Sequence, residues 1–121
     1  MEREEIIETV LKATAEKGVT EDMIMDVVED IEAIKEFKDD PKVLSKMLNV
    51  CKNHIARVLR IVIEDLEVRN LAFIVLEDIE SLIKIAAIDK DEIKACEMEE
   101  KLEKDGNSLL EKLPELAQFV A

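Results

Sequence analysis

Apolar positions recur three and four apart through almost the whole chain, the period of a helix with one buried face. Ile6, Ile7, Val10, Leu11 and Thr14 form the first stripe and predict a helix from about Glu2 to Lys17. Gly18 suits the left-handed position just past its end. Thr20 then reads as an N-cap, with Glu21 and Asp22 in a first turn where the helix dipole favours anions. The second helix carries Ile24, Val27, Val28, Ile31 and Ile34 on one face and runs to about Lys38.

Asp39-Asp40-Pro41 closes that helix and opens a third, with Asp40 placed to cap and Pro41 at a position where its missing N–H costs nothing. No Gly or Pro follows until after Ile88, and one helix over those residues would be about 72 Å long, too long for a compact domain. Leu44, Leu48, Cys51, Ile55, Val58, Val62 and Leu66 keep step; Val68, Ala72, Val75, Ile79, Leu82 and Ala86 keep step on a shifted phase. The break is therefore placed near Glu64-Asp65, with Asp65 capping a fourth helix. A single bent helix is the alternative.

For a fifth helix, Asp89 and Glu92 have the spacing of a capping box, and Ile88 and Ile93 that of a hydrophobic staple. This helix is expected to end at about Lys104, with Asp105-Gly106-Asn107 as a turn. Ser108 and Glu111 repeat the box, Pro114 bars a long regular helix, and Glu115 to Ala121 reads as a short helical turn held by Leu116 and Phe119. No internal repeat or second domain is evident. Residues 1–121 read as one all-α domain, an antiparallel up-down bundle of four main helices plus a fifth helix and a C-terminal helical turn.

Composition sharpens this picture. Of the 121 residues 48 % are apolar and 39 % charged, with 2 Gly, 2 Pro, three Phe and no Tyr or Trp. Strands favour aromatic and β-branched residues with frequent turns between them, so the near-absence of turns and aromatics favours long helices. The net charge of −13 disfavours nucleic acid, which is bound by neutralising phosphates, and anionic membrane surfaces. Met1 to Glu5 is acidic, unlike a signal peptide, and no run of apolar residues is long enough to span a bilayer. Cys51 and Cys96 form no CxxC and read as reduced thiols, which points to a cytoplasmic protein. Dense Glu/Lys pairing with many Ile and Val is compatible with a thermophilic source.

Candidate chemistry is sparse. Cys51 and His54, three apart on the third helix, could form a nucleophile–base pair, but no orienting third group or anion-stabilising loop is evident. One His and two distant Cys cannot make a zinc site, no Glu stands three before His54 as a di-iron bundle requires, and Gly18 and Gly106 are solitary. No catalytic residue, cofactor or resident metal is therefore expected. The acid pairs at Glu4-Glu5-x-x-Glu8, Glu29-x-x-Glu32, Glu64-x-x-Glu67 and Glu77-x-x-Glu80 keep open one alternative, a magnesium-dependent nucleotide pyrophosphohydrolase. Magnesium needs such carboxylates to face inward with room for water and phosphate, and Glu77 and Glu80 fall opposite the fourth helix's apolar stripe.

The most informative feature is a stretch without acids. From Pro41 to Ile63 there is none, although the chain holds 30. At 100° per residue, Lys42, Lys46, Asn49, Asn53, Arg57 and Arg60 fall within about 80°. This narrow basic stripe is expected to offset acidic neighbours within the chain or across a dimer; the functional alternative is a groove for an anion or an acidic partner. The remaining apolar arcs are wider than one neighbouring helix would cover, with Phe73, Ile74 and Ile88 lying outside the main stripe of the fourth helix. Together these features lead to a non-enzymatic protein acting through protein–protein contact, as a homo-oligomer with a dimer favoured.

Overall fold

The computed structural model describes residues 3–113. Its fold is an all-α helical bundle, with no strand among the described residues. The helices are α1 (Arg3–Thr14), α2 (Glu21–Glu36), α3 (Pro41–Val62), α4 (Leu66–Lys84) and α5 (Glu92–Lys112). A single 3₁₀ turn, Ala15–Lys17, ends α1, and one π-helical turn, Ile85–Asp89, extends α4. The expected tail turn with Leu116 and Phe119, the start at Glu2 and the side chain of Ile6 lie outside the described residues.

Most boundaries follow from capping. Thr20 Oγ1 accepts from Met23 N, Asp40 Oδ1 from Val43 N, and Asp65 Oδ1 from Val68 N. Each bond satisfies one of the N–H groups that a helix start leaves without an intrahelical partner. The Asp65 cap separates α3 from α4, so they are two helices and not one bent helix. Gly18 takes a positive φ of 96°, the left-handed conformation that lets the chain leave α1 and enter α2 within a few residues.

Two expectations fail at α5. Its N-cap is Asp91, not Asp89: Asp91 Oδ1 accepts from Lys94 N at 3.0 Å. α4 does not stop before Ile88 but widens into the π-helical turn, which absorbs Ile88 and Asp89 and is ended by Lys90 in the left-handed region. The staple is not made, and Ile93 stands 75 % exposed. Nor does α5 stop at Asp105-Gly106-Asn107; it continues to Lys112. A helical Gly costs only about 0.5–1 kcal/mol relative to Ala. Lys101 Nζ donates to Asp105 one turn on, and Ser108 Oγ donates back to Lys104 O, so neither residue acts as a stop or a new cap. The helix ends at Leu113, which precedes Pro114 and is thereby biased away from helical geometry.

The described chain forms two compact units, residues 1–64 and 65–121. In the first, α1 and α3 both pack on α2. Ile7, Val19 and Ile24 form its central cluster, flanked by Val10, Leu11, Val58 and Ile61, while Leu44, Leu48 and Cys51 are buried along α3. In the second unit α4 packs against α5. Lys112 pairs with Glu67, and Lys101 with Asp78. The residue numbers of both pairs sum to the same value, as only antiparallel neighbours allow. Among the described residues of the second unit Val68 and Ala72 are the buried apolar ones, and α5 buries none.

Candidate functional site

α2 and α4 share a short segment that sequence inspection overlooked. Val27-Val28-Glu29-Asp30-Ile31-Glu32 on α2 matches Val75-Leu76-Glu77-Asp78-Ile79-Glu80 on α4 at every position but the second. Both copies invert the expected facing. Ile31 and Ile79, members of the apolar stripes, are each 41 % exposed, whereas the neighbouring Asp30 and Asp78 are buried. The cause lies on the next helix in each case, where a basic side chain stands opposite the acid.

In the first unit that side chain is His54 of α3, whose Nδ1 lies 2.5 Å from Asp30 Oδ2. Asp30 is the orienting third group thought to be missing beside Cys51 and His54. The sequence signal for it was an acid standing three after one stripe residue, Val27, and four before another, Ile34. The surroundings of Cys51 nonetheless work against a nucleophile at ordinary pH. Cys51 is buried, and burial first, then the nearby Asp30 charge, pushes its thiol up to about 11. A nucleophilic thiol needs the opposite shift.

In the second unit Lys101 Nζ donates to Asp78 Oδ1 at 2.7 Å and to Asp105 Oδ2 at 2.9 Å. Asp78 Oδ2 is buried without a hydrogen-bonding partner. Burial, reinforced by Asp105 alongside, raises the Asp78 carboxyl above its ordinary range even though Lys101 opposes the shift. The two carboxylates push Lys101 up to about 12. Asp105, more exposed and set beside Asp78 and Lys101, is held below the usual range. Asp78 is therefore the carboxyl of the pair that protonates first.

The acid pairs proposed for magnesium do not converge: among the described residues no group of three or more His, Cys, Asp or Glu is placed to hold a metal ion. Glu77 is exposed as expected, but Glu80 is half-buried and lies 3.6 Å from Lys84.

The first unit also carries an open, wholly apolar groove of about 200 Å³, lined by residues of α1, α2 and α3 that include Val27, Ile31, Ile55 and Leu59. Along another side of α3, all six members of the basic stripe, Lys42, Lys46, Asn49, Asn53, Arg57 and Arg60, are exposed. Among the described residues no ion pair joins Lys42, Lys46 or Arg57 to a carboxylate. For these three residues the expected offset is not made among the described residues. Among the described residues no helix is long and apolar enough to cross a membrane. Compared with family models, with curated proteins and with solved structures, the chain matches none of them.

Proposed function

We propose that this protein acts through protein–protein contact and that its partner is a further copy of itself, most simply in a dimer. One observation carries the reading: the repeated segments turn Ile31 and Ile79 outward, and Ile31 lines an apolar groove with no polar surface. Leu66 and Ile93 add to this, at 65 % and 75 % exposed. Scattered exposed apolar residues are ordinary, but a contiguous apolar face marks a contact surface. The second unit strengthens the case, because α5 buries no apolar side chain of its own and the unit gains from apolar area covered by a partner, at roughly 25 cal/mol per Å². The free thiols Cys51 and Cys96 fit a reducing cytoplasm. Sedimentation equilibrium at micromolar concentration tests the reading: a species near twice the 13.8 kDa chain mass is expected. Replacing Ile31 and Ile79 together by Asn should dissociate it while the helical circular dichroism is retained. A wild-type protein that stays monomeric refutes the reading.

A further inference from the structure

The basic stripe of α3 has a counterpart on α5. Glu92, Cys96, Glu99, Glu103 and Asn107 are all exposed, and at 100° per residue they too fall within about 80°. Each stands fifty positions after a member of the basic stripe: Lys42, Lys46, Asn49, Asn53 and Arg57. The two lines thus have the same internal spacing along two long helices. From Lys42 to Arg57 and from Glu92 to Asn107 the rise is about 22 Å in each case. One line holds cations and amides with no acid; the other holds three Glu, an amide and a thiol with no cation.

We infer that the basic stripe of α3 is a docking face for the acidic line of α5 in a second copy of this chain. This rests on the proposed self-association and names the surfaces that set its geometry. Charge complementarity selects the occupant. Lys42, Lys46 and Arg57 make no carboxylate pair among the described residues, so no described carboxylate competes for them. A nucleic acid strand is the poorer occupant, because the stripe offers no aromatic ring to stack a base and the chain as a whole, at −13, repels phosphate. An α5 face of equal length and equal spacing answers the stripe. Such contacts steer and orient association more than they tighten it, so the apolar surfaces supply affinity and the charged lines supply register.

Two charge-reversed variants test this: Lys46→Glu with Arg57→Glu on α3, and Glu99→Lys with Glu103→Lys on α5. All four side chains are exposed, and circular dichroism verifies that each variant folds. Each variant alone should associate about tenfold or more weakly than wild type, because like charges then oppose one another. Mixed in equal amounts, the two should recover association, since the reversed α3 of one meets the reversed α5 of the other. Added salt should weaken the wild-type complex. A monomeric wild type overturns both this inference and the self-association it rests on. An oligomer that neither reversal affects overturns this inference alone and leaves association to the apolar surfaces. Loss on reversing α3 without loss on reversing α5, or no recovery on mixing, overturns α5 as the occupant. A melting temperature raised by inorganic phosphate in wild type but not in the α3 variant assigns the stripe to a free anion and overturns the inference equally.

Discussion

Removing the His54 ring should destabilise the protein through what it leaves behind on α2. The Asp30 side chain is 10 % exposed and has the His54 Nδ1 as its partner across the helix pair. Breaking a fully buried ion pair costs about 3–5 kcal/mol, and an exposed pair contributes ~0–1 kcal/mol. Here the acid is buried, but the imidazole is one-third exposed, so water can reach the site once the ring is gone. The appropriate scale is that of a buried polar group losing its hydrogen bond, about 1–3 kcal/mol. For a chain of this size each kcal/mol lowers the melting temperature by roughly 4 °C, which makes His54→Ala visible in a thermal melt. The decisive measurement is a double-mutant cycle from urea unfolding, with His54→Ala, Asp30→Ala and both together. A coupling of about 1–2 kcal/mol is expected between residues in direct contact. Replacing both residues by Leu should restore stability to about the wild-type level, because paired apolar side chains often substitute for a buried polar pair without loss. A coupling below about 0.3 kcal/mol, the level at which distant sites already add, would refute the clip.

Three further outcomes follow from the site and from α5. In the dissociated chain Cys96 is exposed and Cys51 buried, so at pH 8 and high dilution a thiol reagent should modify one cysteine quickly and the second only on unfolding. The Cys51 thiol is held at about 11 against an ordinary 9.0; a raised value favours the neutral thiol in the fold, so stability should fall as pH rises from 9 through 11, and Cys51→Ala should flatten that part of the profile. Gly106 lies within α5, and a Cβ there meets nothing within 4 Å, so Gly106→Ala should stabilise by about 0.5–1 kcal/mol in urea unfolding; a loss of stability would mean that a turn interrupts the helix there.

The helices were legible wherever local chemistry alone decides them. Thr20, Asp40 and Asp65 each cap the helix that their side chains mark out, and a shift in apolar phase located the α3–α4 break without any Gly or Pro. Local rules failed where two of them compete. Asp89 and Asp91 both offer a cap before α5, and the choice depends on how far α4 continues, which its neighbours and not its sequence decide. Gly106 suits a stop because Gly often is one, yet α5 continues through it to Lys112. Periodicity also misplaced two acids. It assigns a residue to a face from its own helix, whereas Asp30 and Asp78 are buried because His54 and Lys101 reach them from the next helix. That complementarity spans more than twenty residues, beyond any window of helical periodicity. The basic stripe was legible in full, since it belongs to one helix. Its expected carboxylate partners were not located, because exposed faces leave no trace in a hydrophobic pattern.

The two Val-x-Glu-Asp-Ile-Glu segments tie these findings together. Ile and Val stripes are nearly interchangeable, so apolar contacts alone leave the register of a helix pair loosely specified. A buried acid that finds its donor at only one register removes that freedom, as polar groups at apolar seams do elsewhere. Asp30 with His54 fixes α2 against α3, and Asp78 with Lys101 fixes α4 against α5. The cost falls on the neighbouring position. Turning the Asp inward leaves Ile31 or Ile79 at the surface, and an exposed Ile forgoes about 1–2 kcal/mol of the gain its burial would bring. A partner that covers the isoleucines recovers that energy. On this argument the clips and the proposed association have a single origin: the acid that sets the register inside each unit also exposes the apolar side chain available to a second copy.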